Sequence, residues 1–155
     1  VQGFVNNFAR QPNGGDRDQI KAVAAGECDI ALANTYYYAQ MLFGDDDAQK
    51  AAANQVGLFW PNQADRGTHI NISGAGVTKA AKNKDNAIKL LEYMVLDDAQ
   101  RWYSTVNGEY PVTSKALTNP QLQKWGNFKS DTLNLGQLGK FNKDALRLMD
   151  TAGWR

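Results

Sequence analysis

Apolar residues recur along this chain at helical spacing, and short apolar runs separate the helical stretches. Ile20, Val23 and Ala24 share one helical face; Asp16 is the expected N-cap, Gln19 stands at the capping-box position, and Gly26 ends the helix. Residues 28–33 read as a buried strand. Asn34 or Thr35 caps a helix over residues 36–43 that stops at Gly44, and Asp45, Asp46 and Asp47 open an alanine-rich helix reaching Asn54. Residues 56–60, stopped by Pro61, and residues 68–72, which alternate polar and apolar, are two more predicted strands. Residues 83–95 form the clearest helix, with Ala87, Ile88, Leu91 and Val95 on one face. Asp97 and Gln100 repeat the capping-box spacing ahead of a shorter helix through Trp102 and Tyr103. Pro111 breaks the chain. A helix over residues 117–125 begins near Asn119 and Pro120, and another over residues 142–152 is stopped by Gly153. Helices interleaved with short strands predict an α/β fold.

Composition narrows the function classes. The 155 residues are 43% hydrophobic and 21% charged, ordinary for a globular protein and enough for one core. A net charge of +1 gives no general electrostatic grip on nucleic acid or membrane. No apolar stretch approaches the roughly 18–20 residues of a membrane-spanning helix. Cys28 is the single cysteine, which excludes an internal disulfide and a thiolate metal cluster. The chain opens on Val1 without a secretory signal, so it is expected to be a processed product or a piece of something longer.

The candidate chemistry lies at Tyr36, Tyr37 and Tyr38, at the predicted handover from strand to helix. In α/β folds, ligands gather where a strand's carboxyl end meets the next helix. Successive residues in a helical turn diverge by about 100° rather than the 180° of a strand, so adjacent phenols there reach one ion. A deprotonated phenol is a hard anionic donor suited to Fe3+. A free tyrosine titrates near pKa ~10, so both the helix N-terminus and the metal itself must favour the phenolate. The bland alternative makes the triplet an amphipathic patch of buried rings and wet hydroxyls.

Residues 8–16 (FARQPNGGD) and 19–38 (QIKAVAAGECDIALANTYYY) resemble the ferric-iron substrate-binding proteins of ABC transporters, and in particular the iron-deficiency-induced type. The likeness continues in residues 67–77 (GTHINISGAGV), 86–93 (NAIKLLEY), 108–112 (GEYPV) and 152–154 (AGW). It implies the C-terminal portion of a two-lobed type II periplasmic-binding-protein fold with crossover strands, the N-terminal half of the family fold being absent. By that resemblance residues 1–66 belong to the second lobe. Residues 67–106 supply a crossover strand and helices of the first lobe, and residues 107–155 return to the second lobe. The implied function is capture of Fe3+ between the lobes and delivery to the permease subunits of an ABC transporter, in the periplasm or another extracytoplasmic space. On this resemblance the iron is expected to be cargo, and the protein is not expected to be an enzyme.

By motif, Tyr36 and Tyr37 match the family's iron-binding tyrosine pair, while Tyr38 takes a packing position. The remaining ligands would lie outside this chain, so two oxygens alone should hold Fe3+ weakly. Asn34 matches one position that holds a bound anion in some relatives, but Asp16 stands at the other, and a carboxylate repels an anion. Gln40 replaces an arginine frequent in close relatives, which puts any Fe2+ role in doubt. Two other functions remain open: the same fold binding a small organic or phosphorylated anion, or a non-transport interaction module. His69, the only histidine, reads as structural. Gly74 and Gly76 lack the rest of a dinucleotide fingerprint. Lys79, Lys82, Lys84 and Lys89 form a basic, solvated helix end. No nucleophile, base and acid combine in a catalytic pattern.

Overall fold

Helix caps and apolar periodicity carry over into the computed structural model, which describes residues 1–113 and 119–154. The helices are α1 (Gln2–Asn6), α2 (Asp16–Ala24), α3 (Thr35–Phe43), α4 (Asp47–Ala53), α5 (Lys84–Met94), α6 (Asp97–Val106), α7 (Pro120–Gln123) and α8 (Gly136–Ala152). The start of α2 differs from expectation. Gly15 is the N-cap, and the Asp18 carboxylate accepts the Gly15 N–H at 2.9 Å. Asp16 is therefore the first helical residue, and its side chain is released for another partner. At the other end, the Gly26 N–H reaches the Val23 carbonyl (3.0 Å) and the Glu27 N–H reaches Ala22 (2.9 Å), the double closure of a Schellman turn.

Helix α3 runs between Asn34 and Gly44 as expected, and α4 is capped by Asp46, whose carboxylate accepts from the Gln49 backbone at 3.0 Å. The predicted capping box at Asp97 does not form. Gln100 is instead buried and bridges the Met94 carbonyl (2.8 Å) and the Val112 N–H (2.8 Å). Helix α7 covers only part of the stretch expected over residues 117–125, of which Leu117 and Thr118 lie outside the described residues; α8 starts well before Asn142.

The predicted strands are the main departure. Among the described residues no regular strand forms, and one parallel bridge joins Thr68 to Ser130 through bonds of 2.8 Å to Lys129 O and from Asp131 N. A strand exists only through a neighbour that takes its backbone bonds. Within the described residues, 28–33 and 56–60 have none. Several of their apolar side chains stand open, Ile30 at 87% exposed and Phe59 at 84%, while Ala33 and Val56 pack on the helical core. The pattern is that of strands; the ladder is missing.

The core sits among α2, α3 and α4, where Ile20, Met41 and Ala53 are buried under Ala33, Tyr38, Leu42 and Val56. Burying such side chains contributes roughly 1.5–3 kcal/mol for each large one. Elsewhere α5 pairs with its neighbour α6, α1 pairs with α8 from the other end of the chain, and α5 has no buried residue. Two later segments close onto the core. Trp125 stacks on Tyr38, and Phe128 stacks on Trp60 at 4.1 Å. Gly108, with φ +71, brings the turn after α6 so near α3 that an added Cβ would lie 2.5 Å from that of Ala39.

Candidate metal site

The site is built at the head of α3. Asn34 is extended at the N-cap position (φ -75, ψ 139), and the chain turns into helix at Thr35. Its side chain does not cap that helix. The Asn34 backbone N–H and Nδ2 both donate to Asp16 Oδ2, at 2.6 and 3.0 Å, and its Oδ1 accepts from Asn71 Nδ2 at 2.9 Å. Asn34 is thus a fastener joining α2, α3 and the segment after Thr68. Each end of its amide already holds one protein partner.

Tyr36 and Tyr37 then emerge side by side. Their ring centroids are 4.4 Å apart with planes inclined at 44°, close enough for each phenol to feel the other's charge. The phenols converge rather than diverge, and both rings are half-exposed. Desolvation raises the Tyr36 pKa first, followed by the bond to Tyr37 and the negative charges of Tyr37, Asp16 and Glu109. Without a cation, then, Tyr36 stays protonated at neutral pH, and the helix N-terminus alone does not reverse this. The same carboxylates would attract a cation that displaced the proton.

Tyr38 faces the other way, as a packing residue. Its hydroxyl donates to the Val56 carbonyl at 2.6 Å and its ring stacks on Trp125 at 5.4 Å. Gln40, one turn along α3, donates to the Asn107 carbonyl at 3.3 Å and accepts from Arg17 Nη2. Arg17 also lies over the Tyr37 ring, 4.9 Å from its centroid. A hollow of about 290 Å³ beside the pair is lined by Gly15, Asp16, Arg17, Asp18, Lys21 and Tyr37.

The structure therefore brings Asp16, Asn34, Tyr36, Tyr37 and Gln40 together around one helix start. It adds three residues that local pattern did not mark, Arg17, Asn71 and Glu109. His69 is exposed and lines a different hollow with Ile72 and Asp131. Among the described residues, no three His, Cys, Asp or Glu side chains cluster as a metal site. No helix among them is long and apolar enough to cross a membrane.

Comparison with known proteins supplies the wider setting. Iron uptake protein A1 of Synechocystis is 48% identical over 155 residues, covering 100% of this chain and 43% of that protein. The major ferric iron-binding protein of Neisseria meningitidis is 28% identical over 137 residues, covering 88% of the chain and 40% of that protein. Among solved structures, the Trichodesmium FutA (IdiA) complex with iron and citrate ligands superposes with a TM-score of 0.93 at 51% identity, covering 99% of this chain and 49% of that one. The ferric binding protein from Campylobacter jejuni superposes with a TM-score of 0.95 at 36% identity over 99% and 49% of the two chains. The chain spans about half the length of the relatives it matches. The sequence model for bacterial extracellular solute-binding proteins matches residues 1–130, and the chain belongs to that family.

Proposed function

We propose that this chain is part of an extracytoplasmic protein that binds Fe3+ in a cleft, with Tyr36 and Tyr37 as two of the ligands, and passes it to an ABC permease. The observation that carries the reading is the pairing of the two phenols at the head of α3, with rings 4.4 Å apart and the negative charges of Asp16 and Glu109 acting on Tyr36. Relatives named for iron uptake and ferric binding align along nearly the whole chain and support it. Each phenolate would give a hard, charged donor, and loss of its proton couples uptake to pH. Two ligands leave an octahedral shell incomplete, so the remaining donors belong to parts of the protein beyond this chain or to water. The function is binding and release rather than catalysis.

The lobe assignment is part of the same proposal. Packing of α2, α3 and α4 as one unit supports placing residues 1–66 in the second lobe. The pairing of α5 with α6 supports residues 67–106 as a separate packing unit, and closure of Gly108, Trp125 and Ser130 onto earlier segments supports the return of residues 107–155. This is the C-terminal part of a type II periplasmic-binding-protein fold, its extended segments awaiting sheet partners. The anion alternative has less support, because the Asn34 amide is engaged at both ends and two carboxylates stand near the phenols.

The test is the colour of the intact protein loaded with Fe3+. Phenolate-to-iron charge transfer gives a visible band, and Tyr36→Phe combined with Tyr37→Phe should abolish it and lower the bound iron. Unchanged colour and stoichiometry in that double variant would refute the ligand assignment.

A further inference from the structure

We propose that Arg17 is a positioning residue for the metal site, holding the Tyr37 ring so that its oxygen faces the ion. This rests on Tyr36 and Tyr37 being ferric ligands. Arg17 lies in the first turn of α2, and its guanidinium carbon is 4.9 Å from the Tyr37 ring centroid. One of its terminal nitrogens donates to Gln40 Oε1, and Gln40 is anchored in turn to the Asn107 carbonyl at 3.3 Å. The cation is thus pinned to the same helix that carries the tyrosine, and the ring beneath it is flanked as well by Tyr36 at 4.4 Å. Between them the two contacts restrict rotation of the phenol.

Joining two helices does not require this arrangement. Arg17 Nε is buried without an acceptor, and ordering a long arginine costs rotamer freedom. An aliphatic side chain would pack α2 on α3 without either cost. What arginine adds is a flat, weakly hydrated cation that matches a ring face. It also has an electronic consequence. The filled phenolate orbital that donates to Fe3+ spreads over the ring under the guanidinium, and a positive charge there lowers that orbital. The charge-transfer band consequently sits at shorter wavelength with Arg17 present than without it.

The experiment uses the intact protein loaded with one Fe3+ per molecule. Arg17→Gln should move the band to longer wavelength and speed iron loss to a competing chelator by roughly 3- to 30-fold, the range a partly desolvated cation–π contact sets. Gln40→Ala unties the guanidinium without removing its charge and should give a smaller change in the same direction. Arg17→Lys keeps a charge but not the planar stack and should fall between wild type and Arg17→Gln. If Arg17→Gln fails to fold, the other two variants carry the measurement. Band position and iron release that stay at wild-type values in folded variants overturn the proposal and leave Arg17 as a helix fastener. Failure of the ligand assignment looks different: colour that survives Tyr36→Phe with Tyr37→Phe.

Discussion

Removing the Asp16 carboxylate tests how the tyrosine helix is held at its head. Asp16 Oδ2 accepts two bonds from Asn34, one from the backbone N–H at 2.6 Å and one from Nδ2 at 3.0 Å. A hydrogen bond to a charged group contributes about 1.5–3 kcal/mol net, and stranding a partly buried backbone donor adds to the loss. Asp16→Ala deletes both bonds and leaves the Asn34 N–H without its acceptor, so about 2–3 kcal/mol of stability should disappear. Asp16→Asn keeps a neutral oxygen in reach of the same N–H, and its cost should be about 1 kcal/mol. Urea unfolding of the metal-free intact protein measures both, read as the shift in midpoint at constant slope. A second readout is electrostatic. Asp16 is one of the charges that raise the Tyr36 pKa, so in Asp16→Asn that phenol should ionise at lower pH than in wild type. Equal stability of the Ala and Asn variants, or an unmoved tyrosine titration, would refute the assigned role of the carboxylate.

Two further outcomes separate packing tyrosines from the paired phenols of the site. Tyr38→Phe removes the 2.6 Å bond to the Val56 carbonyl and should cost about 1 kcal/mol while leaving iron content and colour intact; loss of iron would move Tyr38 into the site. Tyr110, packed against Trp60 and Phe128, has its pKa pushed up to about 12 by burial. A folded pKa above the unfolded value of about 10 leaves stability untouched below that pH and erodes it as pH rises towards 12. The loss, reduced for partial exposure, should be about 1–2 kcal/mol, and Tyr110→Phe should remove it from the alkaline unfolding profile. An unchanged profile in that variant would show that the ring ionises freely.

Local signals in the sequence account for most helix ends. Gly26, Asp46 and Gly153 stop or start helices where their conformational preferences predict, because a cap is decided within a few residues of itself. The N-cap of α2 shifted by one residue because Asp18, rather than Asp16, reaches back to the Gly15 N–H, and both are acceptable acidic residues for a first turn. The strands were legible as apolar pattern but not as structure. Alternation marks a face that can be buried; the backbone partner that makes it a strand comes from elsewhere in the fold. The packing role of Tyr38 was legible from motif. Arg17, Asn71 and Glu109 were not, since the Arg17–Gln40 bond spans 23 residues and the Asn71–Asn34 bond spans 37.

By itself, then, the amino-acid order determined the capped helices, the adjacency of two phenols in one helical turn, and the family to which the motifs point. Tertiary packing alone decided that Asp16 accepts from Asn34, that the two phenol rings lie 4.4 Å apart, and that a guanidinium from α2 lies on Tyr37. The division has a physical cause. Caps and turn angles are governed by torsions and bonds a few residues long, whereas charge and ring contacts depend on which surfaces the folded chain brings together.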